Sequence, residues 1–202
     1  MEPDDPIYTA LLTYTKALSV ALGYRDLLTR LHSERVLGLA GEIGVGCGLS
    51  RKELGILKIA ASLHDIGKIG IPDQILLKPS RLDPAEWEKM KQHAEIGERI
   101  MGATEVDGAH HVSQVIRHHH EYYDGQGYPD RLAGEDISVY SRIIAIADSY
   151  DAIATARSYR RATPHPEIMA ILQAQSGQKY DPAIMRIFCE IIETSEFNVA
   201  RI

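Results

Sequence analysis

Histidine and aspartate are the side chains here whose types and spacing could do chemistry. The chain has nine histidines in 202 residues. His64-Asp65 closes an apolar stretch, with Lys68 one turn further on. His93 sits in an amphipathic run, followed by Ala94-Glu95, and His118-His119-His120-Glu121 stands just before Asp124-Gly125-Gln126-Gly127-Tyr128-Pro129. Asp148 and Asp151 lie one turn apart among Ile143, Ile144, Ile146, Ala147 and Ile153, and His32 lies in Leu31-His32-Ser33-Glu34-Arg35. Singly, each has an ordinary explanation: a His-Asp pair arises by chance, His93 fits a helix surface, and Asp148 fits a polar contact between helices. Buried carboxylates and imidazoles need partners, however, and in this set each finds its partners in the others. Adjacent helical positions point about 100° apart, so His64 and Asp65 do not chelate one ion between them. The spacing suits His64 on one cation, with the Asp65 carboxylate bridging to a second. Imidazoles with carboxylates and no thiolate suit iron, manganese or zinc, and a mixed set favours iron or manganese over tetrahedral zinc.

The elements that must position these residues read as helices, at about 6–22, 26–45, 51–66, 84–101, 107–120, 138–156, 164–176 and 181–194. Asp5-Pro6, Asp83-Pro84 and Asp181-Pro182 each read as an N-cap followed by proline at the first helical position. Ser50 with Glu53 forms a capping box, and Thr163-Pro164 opens a further helix. Gly67 to Leu77, broken by Gly70 and Pro72, reads as a loop with a short helical turn, and the Gly- and Asp-rich 122–135 as an ordered surface loop. Strand signals are nearly absent, so the expected fold is all-α: a single bundle of about seven to eight helices with the site between them.

A net charge of −6 offers no global field to recruit DNA. A phosphodiester substrate would have to be drawn by cations and a local basic cluster. The apolar runs are too short to span a bilayer, and MEPDDPIY lacks the layout of a signal peptide, so the expected location is cytoplasmic. Cys47 and Cys189 form no metal or redox spacing and read as small, reduced core residues. Trp87 and most of the tyrosines read as core or helix-surface aromatics, and His110 and His111 as ordinary residues near a helix start.

Three segments carry a family resemblance. His64 to Leu76 (HDIGKIGIPDQIL) resembles the HD signature of HD-GYP domains, His119 to Pro129 (HHEYYDGQGYP) the second signature, and Ile146 to Arg161 (IADSYDAIATARSYRR) the closing segment. They stand in the family's order and cover roughly residues 26 to 190. The resemblance implies a helical HD-type domain over 26–202, with 1–25 as an N-terminal helix packed on it. It implies a phosphodiesterase that cuts cyclic di-GMP to linear pGpG or GMP by metal-activated hydroxide. His32, His64, Asp65 and Asp148 would bind one ion, and Asp65 would bridge to a second held by His93, His119 and His120. Lys68 would reach a substrate phosphate, Tyr128 would shape the pocket, and Arg157 and Arg160 would hold phosphates or bases. Leu28 stands where some members have a glutamate for a third ion, so two metals are expected. Asp124 is expected to brace the Gly-rich loop, Asp151 to support a ligand imidazole, and His118 to point away. Family members usually carry a sensor or receiver domain ahead of the catalytic one; none is read within these 202 residues, so the expectation is either an excised domain or a stand-alone version. The implied partners are a sensor or receiver domain, or a diguanylate cyclase gripped through the GYP loop. The competing readings are a silent cyclic-dinucleotide receptor and another HD-type nucleotide phosphohydrolase. The seven intact ligand positions stand against the first; the extra histidines and the GYP loop stand against the second.

Overall fold

A computed structural model describes residues 6–104, 108–155 and 163–200. The first half comprises α1 (Pro6–Arg25), α2 (Leu27–Gly46), α3 (Arg51–Leu63), a 3-10 turn (Ile66–Gly70), α4 (Asp73–Leu76) and α5 (Pro84–Lys91). The second comprises α6 (His93–Gly102), α7 (Ala109–Arg117), a 3-10 turn (Gly134–Asp136), α8 (Val139–Ala154), α9 (His165–Ala174) and α10 (Pro182–Ile192). No strand forms among the described residues, only an isolated bridge between Ser176 and Tyr180.

The apolar pattern of α8 has a simple cause. It runs through the middle of the bundle against α2, α3, α7, α9 and α10, with Ile143, Ile144, Ile146 and Ala147 fully buried. Asp148 and Asp151 therefore enter the interior on a helix that cannot move aside, and their charges must be answered locally. α2 lies across α8 and brings His32 to them. The helix starts follow the caps read from sequence: Ser50 and Asp83 form capping boxes, and Asp181 accepts from the N–H groups of Ala183 and Ile184. Asp26 caps α2 in the same way. At α9, Pro164 and not Thr163 is the capping residue, and no side chain caps it. Asp5 lies outside the described residues.

Three of the helices stop or divide just ahead of a histidine, short of where the apolar pattern carries them. The 51–66 segment stops at Leu63, the 84–101 segment divides at Gln92, and the 107–120 segment stops at Arg117. The division at Gln92 and the short α4 in the stretch read as a loop are why the described residues hold ten α-helical segments and not seven or eight. Each break precedes a histidine. The last carbonyls of a helix have no donor within it, and here an imidazole supplies one. The Nδ1 atoms of His64, His93 and His119 lie 2.8, 2.8 and 2.6 Å from the carbonyls of Ala61, Met90 and Ile116.

Two glycines fix how closely these ends meet. A Cβ on Gly67 would come within 1.8 Å of the His93 carbonyl oxygen, so only glycine lets the first 3-10 turn lie on α6. A Cβ on Gly127 would come within 2.2 Å of the Tyr122 nitrogen, so only glycine lets the 122–130 loop fold back on itself. α1 packs on α2 and α3, and Arg25 at its end donates to the carbonyls of Lys68, Ile69 and Ile71.

Candidate metal centre

Seven side chains from five parts of the fold meet in one place. His32 comes from α2, His64 and Asp65 from the end of α3, His93 from the first turn of α6, His119 and His120 from the turn after α7, and Asp148 from α8. His32, His64 and Asp148 each offer one atom, and these atoms lie within 4.8 Å of one another. His93, His119 and His120 do the same. Asp65 stands between the groups: one oxygen is 3.5 Å from His93 Nε2, and the other is 3.5 Å from His64 Nε2 and 3.9 Å from His32 Nε2.

The proton positions follow from the partners. A carbonyl only accepts, so Nδ1 of His64, His93 and His119 must each carry the hydrogen. Their Nε2 atoms are left as bare lone pairs. Nε2 of His93 faces Nε2 of His119 at 3.3 Å, and Nε2 of His64 is buried with no hydrogen-bond partner. Two lone pairs at that distance repel unless a cation lies between or beside them. This donor set fits a divalent metal on its own geometry, with no family argument needed.

Electrostatics point the same way. Burial works against a charged Asp65, yet Lys68, His64, His93 and His32 around it hold its carboxyl well below the usual range. Asp148 is lowered likewise, by the hydrogen bond from His32 acting against burial. Burial also opposes protonation of His32, but its bonds to Asp148 (3.0 Å) and Asp151 (2.6 Å) win and raise it to about 9. His119 goes the other way: burial and then the charges of His64 and His93 hold it at about 3. Removing one carboxylate or ammonium from water costs several kcal/mol. A chain that buries this many ionisable groups together gains function from them more readily than stability.

The surrounding residues support the site. Asp151 accepts from His32 Nδ1 and from Arg35, whose Nε and Nη2 lie 2.6 and 2.9 Å from its two oxygens. Lys68 Nζ rests 2.5 Å from Asp65 Oδ2. The Tyr128 ring lies 4.9 Å from that of His120, and its phenol is pushed up by burial. Asp124 accepts from the Gln126 N–H, bracing the loop. His118 turns away to Asp130, 2.8 Å off. His118, Glu121 and Asp130 also cluster, but Arg117 already grips Asp130 at 2.7 and 2.8 Å, and Glu121 accepts the N–H groups of Asp130 and Leu132. That cluster braces the loop. His110 and His111 are exposed on α7, and Leu28 is 70% exposed. Arg157 and Arg160 lie outside the described residues.

Sequence reasoning did not pick out Arg35, Glu121 or Trp87. The first had a signal: His32/Arg35 and Asp148/Asp151 are both three apart, as two facing helices need to exchange a paired contact. Glu121 and Trp87 had none, because their partners depend on how the 122–130 loop folds.

The HD-domain family model matches residues 18–184. A cyclic di-GMP phosphodiesterase of Thermotoga maritima is 39% identical over 181 residues, which is 90% of this chain and 49% of that protein. A 3′3′-cGAMP-specific phosphodiesterase of Vibrio cholerae is 37% identical over 89% of this chain and 34% of its own length. The chain thus spans a third to a half of these curated relatives. An HDG"Y"P protein from Bdellovibrio bacteriovorus shares the fold, with a TM-score of 0.67 at 18% identity, over 94% of this chain and 66% of that one. No described helix is long and apolar enough to cross a membrane. With the matched model spanning most of its length and the two named signatures lying on the clustered residues, the chain belongs to the HD-domain family, in its HD-GYP branch.

Proposed function

We propose that this chain hydrolyses a cyclic dinucleotide of the cyclic di-GMP type as a metal-dependent phosphodiesterase. The observation that carries the reading is Asp65, one carboxylate set between two histidine groups and offering an oxygen to each. His32, His64, Asp65 and Asp148 would hold one cation, and Asp65, His93, His119 and His120 the other, with iron or manganese better suited than zinc. Cations held there would supply Lewis acidity to a phosphoryl group and acidify water at neutral pH.

The chain's own groups do the rest. The carbonyls of Ala61, Met90 and Ile116 fix three imidazoles in one tautomer and orientation, so the donor atoms are in place before anything binds. Lys68 exchanges one anionic partner for another when a phosphate oxygen arrives, and its ammonium then stabilises charge growing on that oxygen. Tyr128 stays protonated at neutral pH and keeps a hydrogen to donate. Arg157 and Arg160 are assigned to phosphate or base on the family resemblance. We assign 1–25 as an N-terminal segment seated on a catalytic domain of 26–202; the packing of α1 is supported by Arg25 donating to the Lys68 carbonyl of the first 3-10 turn. A sensor or receiver domain, or a diguanylate cyclase, is the regulatory partner we assign.

The relatives' names support the substrate class, since they act on cyclic di-GMP and on 3′3′-cGAMP. The test is to incubate iron- and manganese-loaded protein with each of the two and separate the products by chromatography. Linear dinucleotide or mononucleotide is expected from at least one. Both rings surviving under both metals would contradict a phosphodiesterase and leave a receptor.

A further inference from the structure

Trp87 is the chain's only tryptophan, and it is 46% exposed. Tryptophan is highly buried on average, so leaving this much indole in water needs a reason. Packing does not supply one. No residue of α5 is buried, so the helix does not hold Trp87 against a core. What fixes α5 is its start: Pro84, the reciprocal Asp83–Glu86 capping box, and Lys78 on Glu86 at 2.5 Å. The helix then runs through Gln92 directly into His93. It is a short rigid arm rooted at the metal centre, with its one aromatic side chain on the outside.

Trp87 is also aimed. Its ring meets Tyr128 edge to face, with centroids 6.4 Å apart and planes at 83°. Tyr128 in turn lies on His120. An edge-to-face pair leaves at least one indole face uncovered by its partner. Trp87 therefore stands two ring contacts from the metal centre, with an open face on the rim. Lys91, one turn on, places its ammonium 5.6 Å from the Tyr128 centroid and pairs with Glu88 at 2.8 Å. The rim is aromatic with charged groups beside it, the composition that grips a nucleobase.

We infer that Trp87 is a base-stacking subsite, taking a purine of the cyclic dinucleotide while the attached phosphate lies at the metal centre. The inference rests on the phosphodiesterase reading for the identity of its ligand, but not for its test. A ring with two bases and two phosphates cannot put both bases on one indole. One base stacks, and the phosphodiester next to it is set over the metals. Stacking is indifferent to the base's hydrogen-bonding edge, so Trp87 accepts guanine and adenine alike and selects for a purine over no base at all.

Because Trp87 is the sole tryptophan, its fluorescence reports the subsite without turnover. Metal-loaded protein is titrated with cyclic di-GMP while tryptophan emission is followed, and hydrolysis is measured on the same preparation. Saturable quenching is expected. Replacing Trp87 by Ala is expected to raise KM about 5- to 150-fold, the loss of one stacked base, with the fall in kcat much the smaller effect. Trp87→Phe, which keeps an aromatic face, restores most of the loss, whereas a helix merely weakened by the substitution would not be rescued in KM alone. Quenching without turnover keeps the subsite and removes the phosphodiesterase reading. Turnover with unchanged emission and an unchanged KM in Trp87→Ala overturns the subsite and leaves the phosphodiesterase. Neither quenching nor turnover overturns both.

Discussion

At the scale of single residues, the site is built from protons held in the right place. His64, His93 and His119 each commit Nδ1–H to a carbonyl at a helix end, which leaves Nε2 free. His32 commits its own to Asp151, a carboxylate steadied in turn by Arg35. Replacing Asp151 by Asn weakens that hold and is expected to lower metal affinity about 10- to 100-fold, measured by competition with a chelator. Unchanged affinity would contradict the positioning role. A pH dependence follows as well. With His119 held at about 3 and His93 and His120 lowered too, the folded chain declines protons that the unfolded chain takes up near pH 6.5. These three therefore cost stability as pH falls below about 6.5. His32 has the opposite sign: raised to about 9, its contribution is complete below about 6.5 and lost only as pH rises through 9. Metal-free protein should melt at lower temperature at about pH 5 than at about pH 7, and a flat or rising melting curve series would refute the assignment.

At the scale of elements, the histidines and aspartates that cluster were legible in the sequence but the helix breaks that aim them were not. Apolar periodicity ran through 51–66, 84–101 and 107–120 because the core-facing stripe continues past each break. What stops the helix is a side-chain bond from an imidazole to a carbonyl, which periodicity does not register. Close approach was hidden for the same reason: Gly67 reads as a turn residue, yet its decisive neighbour is His93, far along the chain. Gly67→Ala is expected to push the 3-10 turn off α6, costing about 1–3 kcal/mol of stability by overpacking and separating Asp65 from His93. Denaturant unfolding and metal binding both read this out, and a variant that keeps wild-type values in both would show the contact to be dispensable. Arg25→Ala releases the carbonyls of Lys68, Ile69 and Ile71 from α1. Turnover is expected to fall several-fold with the metal content retained, whereas unchanged turnover would detach α1 from the site.

At the scale of the molecule, the fold class came through from sequence, and the seven candidate ligands read from it lie together, because both rest on long signals, eight apolar runs and three ordered motifs. Trp87 did not, since its meaning lies in exposure and in a ring contact across a loop. The whole arrangement is a bundle whose central helix forces two carboxylates inward and whose helix ends supply imidazoles to meet them. Asp65 joins the two halves of that centre, so the central claim stands or falls there. The direct measurement is metal content per chain, taken without oxygen, together with cyclic di-GMP turnover, for the native chain and Asp65→Ala. The account predicts about two iron or manganese ions and hydrolysis in the native chain, with at least one ion and nearly all turnover lost in the variant. Full metal and full turnover in Asp65→Ala, or no metal in the native chain under any loading, would contradict it.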